Sequence, residues 1–376
     1  MSGKNLNIIS FDIPYPPDYG GVIEVFFKIK ALSEAGVKIH LHCFEYGRQR
    51  RRELEKFCAS VHYYPRKTAK SLLFNGIPYI VLSRSSEQLK KNLSKNSFPV
   101  LMEGLHSTYH LHSGDMEKRK TIVRMHNIEH EYYDNLALVE SNIFKRYYFH
   151  NEAAKLRKYE DVLRQASAVA AISQHDTGDL GARFRNVYYI PAFHPHENPT
   201  AKKGRGAFAF YHGNLAVGEN NQAAIYLAEK IFNSLKVPLV IAGSKPSKLL
   251  IEAAGRYPNI TLKADISTSE IYELVRDAQV NILPTFQNTG IKLKLLAALF
   301  TGRHCIVNTP MVKGTGLETL CAIADSPRQM KEKISQLFNK DFDGEEIRKR
   351  ESVLQENFSN RRNAGKLSEL IFQKLP

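Results

Sequence analysis

Two successive sets of strands alternating with helices predict an α/β protein built from two Rossmann-like domains facing one another. Three observations carry this prediction. At 376 residues the chain is long enough for two hydrophobic cores. Each half opens in the same order, with an apolar strand, a glycine-containing loop and an amphipathic helix. Between the halves, residues 194–206 are rich in Pro, Lys, Arg and Gly, as interdomain linkers are. The expected boundaries are 1–192 for the first domain, 193–350 for the second, and 351–376 for C-terminal helices.

In the first half, Asn7–Phe11 reads as a strand and Pro14–Gly21 as a stiff loop after it. Val22, Val25, Phe26, Ile29 and Leu32 then recur at helical spacing, and Val37–Phe44 alternates like a strand. This is a βαβ unit whose Gly20-Gly21 pair falls at a helix N-terminus, a place that suits a phosphate or sugar. Pro99–Gly104 and Thr121–Asn127 read as further strands. Ligands of open α/β sheets bind beyond the carboxyl ends of the strands, which brings Glu103, His106, His126 and Asn127 to one edge. A long charged helix is expected over 142–165 and a buried strand over 168–173 with Asp176 as the cap of the next helix, and Tyr188–Pro191 closes the first half.

The second half repeats the pattern. Ala207–Leu215 is a strand entering a loop at Gly213-Asn214, 221–232 a helix, and Pro238–Gly243 a strand ending in glycine. Asn259–Lys263 is a fourth element, and 269–275 a helix capped by Ser267 or Thr268. Val280–Leu283 closes a strand, the loop from Pro284 to Thr289 interrupts it, and Ile291, Leu295, Ala298 and Leu299 resume at helical spacing. Gly290 stands at the turn into that helix. Lys292 and Lys294 follow in what reads as a first turn, where cations oppose the helix dipole by about 0.3–1 kcal/mol. Either a bound anion explains them or they are a solvated pair. Helices are expected over 345–356 and 363–373, and Asp341-Phe342-Asp343 before them reads as a solvated loop.

Composition narrows the function. Apolar content of 43% and charged content of 24% are those of a globular protein rather than a disordered one. No apolar run has the length of a signal peptide or a membrane span, which suggests a cytoplasmic protein. The four cysteines lack metal-ligand spacing. His126 and His130 flank Glu129 in an order that does not match the zincin pattern, and no metal is expected. The formal net charge is +15, and residues 46–100 hold twelve Lys and Arg against three Glu. Within that window the apolar stretch Ser71–Val81 is flanked by Arg66, Lys67, Lys70 and Arg84. Such a pairing suggests peripheral docking on an anionic membrane surface through residues 66–84, on the inner face of the membrane. A solvated basic face is the alternative. Nucleic acid is not expected, because no recognised binding motif accompanies the charge.

The segment Gly290–Leu299, followed by Gly302, the strand Cys305–Val307 and Thr309-Pro310, resembles the donor site of retaining GT-B glycosyltransferases of the family-four type (glycosyl transferases group 1). The Pro14–Gly21 loop, Gly-Ile-Pro-Tyr at 76–79, His-Asn-x-Glu at 126–129, Ile172-Ser173 and Gly213 match in family order. The resemblance implies a GT-B fold, with the domains facing across a cleft and the C-terminal helices crossing back to the first domain. It implies transfer of a hexose, with mannose or glucose as candidates, from a nucleotide-sugar co-substrate to a glycan or lipid-linked acceptor, without metal or cofactor. His126 would lie beside the transferred sugar and Lys292 on the diphosphate. Gly20, Gly21, Gly213, Asn214, Gly243, Gln287, Asn288, Thr289, Gly290, Ile291 and Lys294 would contact the donor, and Glu103, His106 and Asn127 would serve the acceptor side.

The family's usual pair of Glu residues is replaced here by Thr289 and Ala297, and its Arg and Lys after the strand opening the second domain by Asn214 and Glu219–Asn221. A hydrogen bond to a charged group contributes about 1.5–3 kcal/mol, so Gln287, Asn288, Lys292 and Lys294 are the candidates to compensate. A non-catalytic GT-B glycan- or partner-binding protein and a sugar-nucleotide epimerase are the alternatives. The carboxylate–histidine cluster usual for an epimerase is not evident in the sequence.

Overall fold

The computed structural model describes residues 3–140, 142–286 and 290–373. The chain divides into two compact units. Unit 1 comprises Met1–Ala137, Asn142–Pro195 and Phe358–Pro376, and unit 2 comprises Leu138–Ser141 and His196–Asn357.

Unit 1 is built on a seven-stranded parallel sheet of β1 (Asn5–Ser10), β2 (Lys38–Glu45), β3 (Ser60–Pro65), β4 (Val100–Glu103), β5 (Thr121–Met125), β6 (Ala168–Ala171) and β7 (Val187–Tyr189). Its order is β3-β2-β1-β4-β5-β6-β7, so the winding reverses between β1 and β4, where such sheets open a crevice for ligands. Among the described residues the strands are followed by α1 (Gly20–Glu34), α2 (Tyr79–Leu82), α3 (Glu87–Leu93), α4 (Tyr109–His112), α5 (Glu129–Val139), α6 (Ile143–Tyr159) and α7 (Gln174–Gly181). The central strands are apolar on both faces because helices cover both. Ile8, paired with Leu41 and Leu101, belongs to a core beneath α1, while Ile9 joins Met102, Val123 and Leu156 in the other. The cap of α7 is Ser173, whose hydroxyl accepts from the Asp176 amide at 3.0 Å. Asp176, expected as that cap, is instead a buried residue of the first turn.

Unit 2 repeats the plan with six parallel strands: β8 (Ala209–His212), β9 (Leu239–Gly243), β10 (Ile260–Ala264), β11 (Val280–Leu283), β12 (His304–Val307) and β13 (Ala322–Ile323). The order β10-β9-β8-β11-β12-β13 reverses between β8 and β11. Its helices are α8 (Gly218–Tyr226), α9 (Lys248–Gly255), α10 (Thr268–Asp277), α11 (Leu293–Thr301), α12 (Thr309–Val312), α13 (Pro327–Phe338) and α14 (Gly344–Asn357). Ser267 and Glu270 form a reciprocal capping box on α10. Asp343 is exposed, as expected, and accepts from the amides of Glu345 and Glu346 at 2.9 and 3.0 Å, which fixes the start of α14. Phe342 beside it is buried, with the Arg350 guanidinium 4.6 Å above its ring.

The two C-terminal helices part company. α14 stays in unit 2, where buried Arg350 donates to the carbonyls of Leu299, Gly302 and Arg303 at the end of α11. The last helix, α15 (Asn360–Phe372), belongs to unit 1 and packs on α1 through a core that includes Ala364, Leu367, Leu370 and Ile371. Among the described residues no helix is long and apolar enough to cross a membrane.

Candidate functional site

At the switch point of unit 1, five ionisable side chains interlock under the strand ends. Glu24 and Lys28 are one turn apart on the inner face of α1, and the Lys28 ammonium reaches Glu24 Oε2 at 2.6 Å and Glu103 Oε2, at the end of β4, at 2.7 Å. Arg124 of β5 donates from Nε and Nη2 to Glu24 Oε1 at 3.0 and 2.7 Å, and its Nη2 also reaches the Pro191 carbonyl at 3.0 Å. His126, just past β5, places Nε2 2.9 Å from Glu103 Oε2. Burial pushes the Glu24 pKa up, but Lys28 and Arg124 outweigh it and hold the carboxyl below the usual carboxylate range.

Glu24, Glu103 and His126 bring one ligand atom each to within 4.8 Å of one another, a spacing that suits a metal ion. The Lys28 ammonium already stands between the two carboxylates, and a second cation there would meet its charge directly. The residues present do not fit a metal.

Above this cluster a ring of polar groups lines the same strand ends. Phe11, after β1, contacts the rings of His106 and His126 at 5.4 and 5.6 Å. Arg84 is buried, donating to the carbonyls of Phe11 at 2.9 Å and Ile80 at 2.5 Å, and burial lowers its pKa to about 9. His106 has a buried Nδ1 with no hydrogen-bond partner; burial, then the charge of Arg84, hold this imidazole neutral. Glu129 Oε1 lies 3.9 Å from it. Burial, reinforced by the charge of Glu160, pushes Glu129 up to about 8, so its carboxyl keeps its proton at neutral pH. Asp12, which accepts from the Tyr19 hydroxyl at 3.1 Å, is raised by burial as well.

In unit 2 the corresponding strand ends carry a cation. Lys294, in the first turn of α11, bonds Asn220 Oδ1 at 3.0 Å and lies 5.0 Å from the Tyr211 ring centroid. Burial lowers its pKa to about 8, partly offset by the Glu219 carboxylate and deepened by Lys292. Glu219, in the first turn of α8, accepts from the Thr285 hydroxyl past β11. Next to Lys294, His212 has Nε2 buried without a partner, and burial pushes that imidazole down to about 3. Asn214 accepts from the Ala216 amide and from Ser244 Oγ, each at 3.1 Å, which closes the loop after β8 onto the end of β9.

The expected site residues fall into three groups. Glu103, His106, His126 and Asn127 meet at one edge, yet Glu103 is fully buried and its Oε2 is committed to Lys28 and His126, so it supports His126 and is covered from an acceptor. The glycines mostly clear protein. A Cβ on Gly243 would lie 1.9 Å from the Gly213 carbonyl, one on Gly213 would lie 2.9 Å from Asn220, and one on Gly21 would lie 2.8 Å from Phe11, whereas Gly20 faces open space. At the donor segment, Gly290 has φ +65, Ile291 precedes the helix, and Lys292 is its N-cap, so only Lys294 stands in the first turn. Gln287, Asn288 and Thr289 lie outside the described residues. Ala297, in place of one family carboxylate, is buried in α11.

Sequence reading missed Glu24, Lys28 and Arg124. The first two carry a signal, the i, i+4 spacing of an ion pair, but their partners come from 75 and 100 residues away. His130 takes no part in the edge, being bonded to Glu160 at 2.6 Å.

Two parallel sheets, each with its winding reversed at mid-sheet and helices on both faces, define a GT-B fold, the architecture of nucleotide-sugar glycosyltransferases among solved structures. Sucrose-phosphate synthase from Thermosynechococcus elongatus superposes with a TM-score of 0.69 at 13% identity, over 98% of each chain. TarM does so at 0.69 and 12%, over 98% of this chain and 99% of its own. Anabaena HepE, in complex with UDP and glucose, matches at 0.66 and 10%, over 97% of this chain and 98% of its own. No protein-family model matches the chain. A Klebsiella pneumoniae protein, described as an uncharacterized 44.6 kDa protein in the cps region, is 26% identical over 327 residues, which is 82% of this chain and 84% of that one.

Proposed function

We propose that the protein is a glycosyltransferase that moves a hexosyl group, mannosyl or glucosyl, from a nucleotide-sugar donor held by unit 2 to a glycan or lipid-linked acceptor held by unit 1. The observation that carries this reading is the Lys294 ammonium, kept half-buried at the carboxyl ends of the unit 2 strands although burial disfavours its charge. A diphosphate would restore what burial costs it. Lys292 and the N-terminus of α11 add positive potential at the same place, so the leaving group is neutralised without a metal.

His126 serves beside the transferred sugar, held through Nε2 by Glu103, with His106 and Asn127 on the acceptor side. Retention of configuration and a cytoplasmic site of action accompany this reading. The relative encoded in a cps region supports a place in polysaccharide biosynthesis.

A thermal-shift panel of UDP, GDP and ADP with their common sugars tests it. Free ligand at about 100 times its dissociation constant raises stability by about 2.7 kcal/mol. A nucleotide-specific rise that Lys294→Met abolishes, and Lys292→Ala weakens, is expected. No rise with any nucleotide overturns donor binding and leaves a non-catalytic binding protein.

One observation favours a second reading. His106 beside a Glu129 that keeps its proton is an acid–base pair of the kind a sugar-nucleotide epimerase needs. Conversion of a nucleotide sugar without any acceptor would select it.

A further inference from the structure

One face of unit 1 leaves large apolar side chains uncovered among cations. Phe74, at the end of the 3-10 turn Lys70–Phe74, is 90% exposed, and in the first turns of α6 Phe144 is 84%, Tyr147 76% and Ile143 65% exposed. At 100° per residue, Ile143, Phe144 and Tyr147 share an arc of about 100°, with Arg146 about 60° beyond one edge and Lys145 about 100° beyond the other. The 3-10 turn is fastened to the side of α6: Lys155 Nζ donates to the Leu73 carbonyl at 2.7 Å, and the Tyr79 amide donates to Glu152 Oε2 at 2.6 Å. Its neighbour Arg66 lies over the rings of Tyr46 and Tyr79 at 4.1 and 5.3 Å. Apolar residues scattered singly on a surface need no explanation, but Ile143, Phe144 and Tyr147 stand together on one arc of α6, and such a patch marks a contact site.

We infer that the start of α6, together with the Lys70–Phe74 turn fastened farther along the same helix, docks the protein on an anionic lipid bilayer. Residues 66–86 and 142–151 contain no Asp or Glu at all, while Arg66, Lys67, Lys70, Lys145 and Arg146 lie within these two stretches. A second copy of a chain with formal net charge +15 would bring like charge to this face, whereas anionic headgroups complement it. Aromatic rings and long basic side chains are the residues that partition into the headgroup region. The docking segment expected over 66–84 is thereby redrawn. Arg84, Ile80 and Val81 are buried and drop out, and α6, distant in sequence, supplies most of the apolar contact. The inference is independent of the reaction the protein performs.

The full chain is sedimented with vesicles of phosphatidylcholine alone, and of phosphatidylcholine with about one third phosphatidylglycerol, at low and at high salt. Wild type is expected to sediment with the anionic vesicles only. Each cation near the surface is worth about fivefold in binding, so K145Q/R146Q should bind about thirtyfold more weakly. F74S/F144S/Y147S should lose the binding that survives high salt, and F74S alone a part of it. These positions are exposed, and unchanged melting temperatures confirm that the variants fold. Failure of wild type to sediment, equal sedimentation with neutral vesicles, or variants that bind within twofold of wild type would each overturn the inference. So would a concentration-dependent dimer dispersed by the triple variant, which assigns the face to a second copy, or capture of a single-stranded oligonucleotide lost with the same residues.

Discussion

The Lys28 ammonium lies 2.7 Å from Glu103 Oε2, and neither side chain is exposed to water. Removing one member of a buried pair leaves the other unpaired and costs about 3–5 kcal/mol, whereas replacing both by apolar groups is often neutral. Lys28→Met should therefore destabilise the protein by about 3–5 kcal/mol in urea unfolding, and Lys28→Met with Glu103→Leu by clearly less than the sum of the single changes. Additive costs would show that the two side chains are not coupled. Because Glu103 also holds His126 at 2.9 Å, the double variant should lose the proposed transfer activity even where stability is recovered.

Glu129 makes stability depend on pH in a direction opposite to that of most carboxylates. Its folded pKa is about 8 against the ordinary 4.5, so between those values the folded chain keeps a proton that the unfolded chain has lost. Stability then falls as pH rises through that window, by up to about 1.4 kcal/mol per pH unit. Glu129→Gln removes the penalty. It should match wild type near the lower limit and melt higher than wild type near pH 8, measured by thermal unfolding across the range. Parallel curves for the two proteins would refute the assignment.

Gly243, at the end of β9, and Gly20, at the start of α1, should respond differently to a methyl group. A Cβ on Gly243 would meet the Gly213 carbonyl at 1.9 Å, while one on Gly20 would meet nothing within 4 Å. Gly243→Ala has to push β8 and β9 apart and should cost at least about 1–3 kcal/mol, like other overpacked sites. Gly20→Ala, in the first turn of α1, should change stability by less than about 1 kcal/mol. Denaturant midpoints of the two variants decide the matter.

How much of this was legible beforehand depended on the range of the interactions. Apolar runs such as Val280–Leu283 and Pro238–Gly243 announced buried parallel strands, since both faces of these strands are covered. β3 was not recognised, because Ser-Val-His-Tyr-Tyr-Pro is half-buried at the sheet edge and sits inside a stretch dominated by charge. α13 was overlooked although Ser326 and Gln329 form a capping box that marks its start. At the candidate site the strand ends fixed which residues gather, but not what each does there. Glu103 reads as an acceptor contact until Lys28 is seen to cover it, and the helix of the donor segment reads as starting at Ile291. Gly290 at φ +65 delays it to Leu293, which turns Lys292 into a cap and puts Lys294 in the first turn.

The first-turn position of Lys294 leads to a pH dependence. Burial holds the Lys294 ammonium at a pKa of about 8 against the ordinary 10.5, so below about pH 8 the free protein bears the cost of a disfavoured charge. Lys294→Met should then raise the stability of the free protein by roughly 1–3 kcal/mol at neutral pH while abolishing the nucleotide shift. A diphosphate favours the protonated form. Affinity for the nucleotide that binds wild type should fall about tenfold between about pH 7 and about pH 9, and stay level over that range in Lys294→Arg if Arg retains binding. Calorimetric titration at the two pH values checks this. A variant that loses stability along with nucleotide binding would mark Lys294 as a structural residue and move the diphosphate to Lys292.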